Sequence, residues 1–503
     1  LHIFGLGVAL PLFQLSCFGF GTNEVVSRND KEALDTLRKD IIIIFEKAPI
    51  NSQLVLTNGS VIGSGKGNEV SFYDTSYAQE FIKLSYTPYN DTVGISCQAN
   101  SLEIVHVYKG VDKLSYLFKQ GDTVLFSYDG LQPNVTIKNR HASPYDYNYE
   151  IKWRERYIGG DFPAFVKYKV PTFMVAAKTK NYKAEYSKVI TSAKENTPKE
   201  LALENRFLDS LMQRGMISAD IYDYYKRKVQ YRQMQFDLLE NKLAVSETEK
   251  LLNWSDQASY RYSFFRELLN ILIYKKYTSK IKMVATSTSR VPDYRVLYDT
   301  LRNSKIIDTT FRDILLSKAM EDIIHNFSIA DIQSYYTKFL VDVQNGSLVR
   351  AIQGKYKLNR SFSNDIALLT SNNEALGFKE LLEKSRGKVI FVDFWASWCV
   401  PCIEAFPASK QLTQTLSGQD VVFLYFSMDE DAMKWKKSFE KHLSNDFSNS
   451  FLISNKYTSK LLDELEVKSI PRYLIYDKAG NLVHMNAPSP TSDELYKLIK
   501  KYL

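Results

Sequence analysis

Cysteine is scarce in this chain. Only four occur in 503 residues, Cys17, Cys97, Cys399 and Cys402, too few for a disulfide-stapled scaffold. No block of basic residues accompanies the net charge of +8, so the excess reads as solvated surface and not as a nucleic-acid footprint. The excess is also uneven: residues 366–503 carry 17 basic and 17 acidic side chains, against 48 and 40 in the rest, which leaves the C-terminal segment neutral. A second metal-spaced pair of Cys or His is missing too. A lone Cys-x-x-Cys is half a zinc site, and neither a metal nor an organic cofactor is expected.

At 503 residues the chain is long for one domain, and two to four are expected, each able to bury its own core. A hydrophobic share of 45% with 24% charged is the balance of soluble globular protein. The N-terminus departs from it. Leu1 to Asn23 contains no Asp, Glu, Lys or Arg, and L-H-I-F-G-L-G-V-A-L-P-L-F reads as the apolar stretch of an export or lipoprotein signal over residues 1–22. Three fates stay open: cleavage before Thr22, lipidation at Cys17 within Leu15-Ser16-Cys17, or retention as an anchor, the stretch being near the ~20 residues that span a bilayer. Each puts the bulk of the chain outside the cytoplasm, in the periplasm or cell envelope, and the last two add a membrane tether.

Residues 23–50 read as an N-terminal segment. Over residues 51–140, the runs Gln53–Thr57, Glu69–Tyr73, Glu80–Ser85, Leu102–Tyr108 and Thr123–Tyr128 are rich in β-formers, with turn signals at Asn58-Gly59, Gly121-Asp122 and Asp129-Gly130. A β-sandwich domain is expected there. Residues 141–180 follow as a connecting segment, in which Tyr145, Tyr147 and Tyr149 are an aromatic edge packed on a neighbour more readily than a carbohydrate-stacking face. Cys97 reads as a small buried hydrophobe. Over residues 181–345 the apolar spacing turns helical, at Leu201–Met212, Ile217–Leu239, Tyr260–Tyr274 and Phe311–Ile324, with capping boxes at Thr310-x-x-Asp313 and Ser328-x-x-Asp331. The passage 346–365 is irregular and reads as a linker.

The chemistry gathers in K-V-I-F-V-D-F-W-A-S-W-C-V-P-C, from Lys388 to Cys402. Val389 to Phe394 is an apolar run with β-branched residues, as a strand buried on both faces requires. Pro401 sits where a first-turn proline is tolerated, and Glu404 to Leu416 carries a helical pattern. Cys399 therefore falls at a helix N-terminus, where unpaired N–H groups and the helix dipole favour a thiolate and lower a free-thiol pKa of roughly 8.5 into the ~3.5–7.5 range. It is the candidate nucleophile. Cys402, one turn further in, is placed to resolve a mixed disulfide made by Cys399. Asp393 has a plain reading as a strand carboxylate reaching solvent or a lysine.

These residues resemble the thioredoxin superfamily, and within it the TlpA and ResA type of envelope disulfide reductases, over about residues 366–503. The likeness extends to Asp393, to Trp398 before the first cysteine, to Pro407 in the helix, to Ile470-Pro471, and to S-M-D-E-D-A-M-K-W-K-K-S-F-E-K from Ser427, which is similar to that family's extra helix. It implies an α/β thioredoxin-like fold for this C-terminal segment, so that with the β-sandwich and α-helical region read above the chain is expected to be multidomain. It implies a redox-active Cys399–Cys402 disulfide, a buried Asp393 that relays a proton to or from Cys402, a cis bond at Pro471, and a substrate-binding surface including Trp398, Ile470 and Pro471. Many of these reductases carry a glutamate three residues after the second cysteine. Here that position is Ala405, and Glu404, one place away, does not inherit the role. The expected function is an exported thiol-disulfide oxidoreductase acting on protein disulfides, recharged by a membrane or periplasmic dithiol donor. The alternative is an envelope binding or assembly protein with an accessory redox domain.

Overall fold

The computed structural model describes residues 40–46, 54–55, 61–62, 69–73, 79–83, 91–97, 99–108, 112–129, 132–169, 182–244, 247, 250, 257–356, 363–444, 446–465, 467 and 469–503. The expected signal over residues 1–22, with Cys17, lies outside them. The described residues fall into two compact units, one up to Lys276 together with residues 306–308, the other comprising residues 277–305 and those from Thr309 to Leu503.

The first unit opens with strands. β1 (Asp40–Phe45), β2 (Glu69–Tyr73), β3 (Gln79–Lys83), β4 (Asp91–Ser96), β5 (Ser101–Tyr108), β6 (Asp112–Lys119), β7 (Thr123–Asp129) and β8 (Gln132–Ile137) form two four-stranded sheets, ordered β8-β7-β1-β4 and β3-β2-β5-β6. Period-two burial sets the faces: Ile41, Ile43 and Phe45 of β1 point inward with Val124 and Phe126 of β7. Phe126 meets Tyr116 and Phe118 of the other sheet at ring centroid distances of 5.3 and 6.2 Å.

Helices follow: α1 (Tyr149–Ile158), α2 (Ala164–Lys169), α3 (Tyr182–Gln213), α4 (Ala219–Leu239) and α5 (Ser263–Lys276). The segment expected only to connect thus contains α1 and α2. Its tyrosines are packing groups: Tyr147 stacks on Phe118 at 5.2 Å, Tyr149 lies 4.6 Å from Tyr225, and Tyr145 meets Phe207 edge-on at 5.7 Å. A buried Glu150–Lys228 pair at 2.7 Å, whose carboxylate also accepts from the Ser115 N–H, fastens α1 and α4 to β6.

The second unit begins with a hairpin, β9 (Met283–Ala285) and β10 (Arg290–Pro292), then α6 (Tyr294–Arg302), α7 (Thr309–Asn326), α8 (Ile329–Asp342) and α9 (Gly346–Lys355). Ser328 caps α8 as expected, accepting from the Asp331 N–H at 3.2 Å while its hydroxyl donates to the Asp331 carboxylate at 2.5 Å. Thr310 instead lies inside α7, and the buried Asp313 carboxylate accepts from the N–H groups of Gln344 and Asn345 at 2.8 and 2.9 Å. The expected linker at 346–365 is corrected in its first half. Residues 346–355 are helix α9, because Asn345 accepts from the Ser347 and Leu348 N–H groups and Leu348 and Ile352 are buried. Residues 357–362 are outside the described residues.

The remainder is α/β: β11 (Ala367–Leu369), β12 (Ala375–Gly377), α10 (Phe378–Lys384), β13 (Val389–Trp395), α11 (Val400–Thr415), β14 (Val421–Ser427), α12 (Ala432–His442), β15 (Ser450–Ile453), α13 (Lys460–Glu464), β16 (Arg472–Tyr476), β17 (Leu482–His484) and α14 (Asp493–Tyr502). The seven strands run β12-β11-β15-β14-β13-β16-β17, with β13, β14 and β15 mutually parallel and β16 antiparallel to β13. Every residue of β13 is buried. Its odd-numbered residues Val389, Phe391 and Trp395 share one cluster with Phe406 of α11 and Trp435 of α12, and its even-numbered Ile390, Val392 and Phe394 share the other with Phe378 and Leu461.

The hairpin closes the edge of this sheet. Ser287 Oγ accepts from the Tyr473 N–H at 3.1 Å and meets the Ala487 carbonyl at 3.1 Å; the Ser489 N–H donates to Thr286 O at 3.0 Å, and Arg290 pairs with Glu494 at 2.7 Å. Among the described residues no helix is long and apolar enough to cross a membrane. Ser287→Ala removes an acceptor from the buried Tyr473 N–H and should lower stability by about 1–3 kcal/mol in denaturant unfolding. An unchanged midpoint would show that the hairpin adds nothing to this unit.

Candidate active site

The site is built where β13 ends and α11 begins. After Trp395 the chain turns sharply, the Cys399 N–H donating to Ala396 O at 3.0 Å. Cys399 is the N-cap of α11 in an extended conformation, φ −84° and ψ 94°, and its sulfur accepts from the Cys402 N–H at 3.3 Å. The two cysteines are joined as a disulfide. Pro401 lies in the first turn, where its missing N–H costs no helical bond, and Pro407 lies further along the same helix. Once the disulfide is reduced, Cys399 Sγ is the atom that meets the helix N-terminus, so its negative charge is stabilised there.

The motif divides by exposure. Trp398 and Val400 are 66% and 50% exposed, whereas Cys399 and Cys402 retain 4% and 1%. Both cysteines of the pair are thus buried beside two exposed apolar side chains. Ile470–Pro471 is cis, Pro471 is buried, and Ile470 packs against the cluster that contains both cysteines.

Asp393 is the unusual group. It is an odd-numbered residue of β13, so it faces the side covered by α11, and in register it lies between Tyr425 of β14 and Tyr473 of β16. Tyr425 in turn shares a hydrogen bond of 2.9 Å with Ser409 of α11. Asp393 is 1% exposed and its Oδ1 has no hydrogen-bond partner. Burial pushes its carboxyl well above the usual carboxylate range, which favours the neutral acid.

One participant was missed from the sequence. Asp429, buried just after β14, accepts from the Ser397 N–H at 2.9 Å, from the Ser397 hydroxyl at 2.7 Å and from the Ser427 hydroxyl at 2.8 Å. It fixes the turn that presents the disulfide. The signal was an acid directly after a core strand, at the end where neighbouring parallel strands bring their loops together. Ala405 is buried and Glu404 exposed, so no carboxylate from that turn of α11 faces the core. Cys97 is apart from the site, in the first unit, where its S–H donates to Ala99 O at 2.9 Å. Among the described residues no cluster of His, Cys, Asp and Glu could hold a metal ion.

Comparison with known proteins places these features in a family. Residues 387–482 match a family model described as thioredoxin-like. The thiol-disulfide oxidoreductase ResA of Bacillus anthracis is 25% identical over 125 residues, covering 25% of this chain and 69% of that protein. The thioredoxin-like protein YneN of Bacillus subtilis is 27% identical over 132 residues, covering 26% of this chain and 72% of its own. The crystal structure of the thioredoxin domain of a thiol-disulfide oxidoreductase from Bacteroides vulgatus aligns with 28% of this chain and 97% of that one, at 20% identity and a TM-score of 0.24.

The state of Asp393 sets a pH dependence. Its folded-state pKa is raised above the unfolded value of about 3.9, so the contribution of Asp393 to stability is fully present below about pH 4 and is lost as pH rises toward the raised value. Asp393→Asn removes that loss. In the oxidised protein it should stabilise by more than about 1 kcal/mol near pH 8 and change little near pH 4, measured by urea unfolding. An equal effect at both values would mean that burial does not control this carboxyl.

Proposed function

With residues 387–482 matching a thioredoxin-like family model and the chain similar over 125 residues to a ResA thiol-disulfide oxidoreductase, we propose that the enzyme is an exported reductase of protein disulfides in the cell envelope, working through Cys399 and Cys402. The observation that carries this reading is the disulfide at the N-terminus of α11, with Cys399 Sγ accepting from the Cys402 N–H at 3.3 Å, together with the buried Asp393 in the strand that leads into the motif. Export is supported by the uncharged apolar stretch from Leu1 to Asn23.

In the reduced enzyme the Cys399 thiolate attacks one sulfur of a substrate disulfide. A bond forms between Cys399 and that sulfur, and the other substrate sulfur leaves and takes a proton. Asp393, neutral at rest, first yields its proton to solvent. Its carboxylate then takes the Cys402 proton as Cys402 attacks Cys399 Sγ and restores the Cys399–Cys402 bond, and the second substrate sulfur leaves as a thiolate and is protonated by solvent. Two electrons pass to the substrate. A raised pKa suits Asp393 to this role, because a carboxylate that binds its proton tightly is the better acceptor from a thiol. An external dithiol, supplied by a membrane or soluble envelope donor, reduces the pair again. Trp398, Ile470 and Pro471 contribute the surface on which the substrate rests.

Two measurements test the roles. Alkylation of the reduced protein near neutral pH should label Cys399 much faster than Cys402 in peptide maps, and equal rates would remove the distinction between attacker and resolver. In cells, Cys402→Ser should accumulate mixed disulfides with envelope proteins on non-reducing gels, and Cys399→Ser should not. Asp393→Asn should still capture partners but resolve them about a hundredfold more slowly. A Cys402→Ser variant with no more partners than Cys399→Ser, while the wild type cycles, would overturn the mechanism.

A further inference from the structure

Five large apolar side chains are at least half exposed among the described residues, and four of them, Trp398, Val400, Met433 and Tyr457, at 66%, 50%, 72% and 80%, follow three neighbouring strands. β13, β14 and β15 are parallel and adjacent, so the loops after them emerge at one edge of the sheet. Trp398 and Val400 follow β13, Met433 follows β14 and Tyr457 follows β15. Large apolar groups gathered on one edge mark an interaction surface more often than chance exposure does.

The edge is rigid. Asp429 ties the first loop to the second through the backbone and hydroxyl of Ser397 at 2.9 and 2.7 Å. Lys456 Nζ ties the third to the second by donating to Met428 O at 2.9 Å, and the Tyr457 hydroxyl donates to Glu430 at 2.5 Å, fixing a ring that is otherwise in solvent. Asp431 caps α12, accepting from the Met433 and Lys434 N–H groups, and so sets Met433 in the first turn. A preformed surface loses little conformational entropy on binding, and tyrosine supplies much contact area for few rotatable bonds.

We propose that this strip is a docking surface for an extended segment of the substrate polypeptide beside its reactive cysteine, running from the disulfide over the β14 and β15 loops. The proposal rests on the reductase reading above. The occupant follows from continuity, since the strip begins at Trp398 and Val400, on either side of the attacking Cys399. Its reach follows from strand spacing: two steps across the sheet are about 10 Å, which an extended chain covers in roughly three residues. The substrate feature selected is therefore an apolar side chain three to four residues from the cysteine. Glu430 and Asp431 against Lys434 and Lys456 make a rim of mixed sign, which adds no preference for charge.

The test uses the full chain, reduced, and two peptides whose single cysteine is joined to thionitrobenzoate. One peptide has Leu, the other Ser, three and four residues on both sides of the cysteine. The wild type should prefer the Leu peptide. Met433→Ser with Tyr457→Ser should raise KM for it roughly tenfold, the loss expected when two apolar contacts are weakened, with kcat unchanged and with the Ser peptide and 2-hydroxyethyl disulfide reduced as before. Val341→Ser, equally exposed elsewhere, should change none of these. Equal losses on 2-hydroxyethyl disulfide, or a Leu preference that survives in the double variant, would overturn the proposal. Loss of self-association on sedimentation, with that preference intact, would overturn it in favour of a second copy of the chain. A wild type that reduces none of the three substrates would instead overturn the reductase reading and the docking surface with it.

Discussion

A strand buried along its whole length has to place even its acid in the core, and the site depends on that constraint. β13 is flanked by β14 and β16 and covered on both faces, so water reaches none of its seven residues. Five of them are wholly apolar and lose nothing by this, while Trp395 buries its Nε1 without a hydrogen-bond partner. Asp393 cannot turn outward without reversing the register that also buries Val389, Phe391 and Trp395 on its own face. Its response is chemical: the neutral acid is favoured where an unpaired carboxylate would cost several kcal/mol. A neutral carboxyl is thus favoured on the face covered by the cysteine-bearing helix, by the same packing that holds the sheet together.

Legibility in the sequence followed the range of the interactions. The turn from β13 into α11 is local, so Val389 to Phe394, Cys399, Pro401 and Cys402 could be read from spacing and residue type alone. Helices α3, α4, α5 and α7 showed through their apolar periodicity, whereas α1 and α2 did not. β1 was overlooked because D-I-I-I-I-F shows no alternation until neighbours on either side give it two faces, and β4 pairs with β1, Ser96 facing Asp40, across a span that no short window contains. β6 and β8, which pair with the adjacent β5 and β7, were passed over although their partners are local. Helix α9 looked irregular because its Gly, Ser and Gln content hides a pattern of only two buried residues, and the Asn345 cap with packing of Leu348 and Ile352 decides the matter.

The hairpin β9–β10 is the clearest case of a feature that sequence alone does not reveal. Its hydrogen bond from the Tyr473 N–H to Ser287 spans 186 residues of chain, and nothing in V-A-T-S-T-S-R-V announces a sheet edge. Yet Tyr473 stands opposite Asp393 in the ladder, two residues after Pro471. A segment that reads as part of the helical region therefore completes the sheet next to the redox centre. Ala487, which the same serine meets, belongs to the buried cluster that contains both cysteines. Residues 366–503 hold the reacting groups, but the frame around them includes residues nearly two hundred positions earlier.

Two carboxylates near the disulfide are buried to a similar degree and use their burial in opposite ways. Asp429 is engaged by Ser397 and Ser427 through three hydrogen bonds, so releasing it would loosen the turn that presents Cys399. Asp393 Oδ1 has no such partner, so a proton can arrive and leave there without breaking a hydrogen bond at that oxygen. In the proposed cycle, which moves a proton with each thiol exchange, Asp393 is the group of the second kind and Asp429 the group of the first. With the reverse arrangement, every proton transfer would disturb the rim on which a substrate must settle. The placement of one acid in the middle of β13 and of the other just beyond the end of β14 keeps the proposed proton chemistry separate from the proposed docking surface.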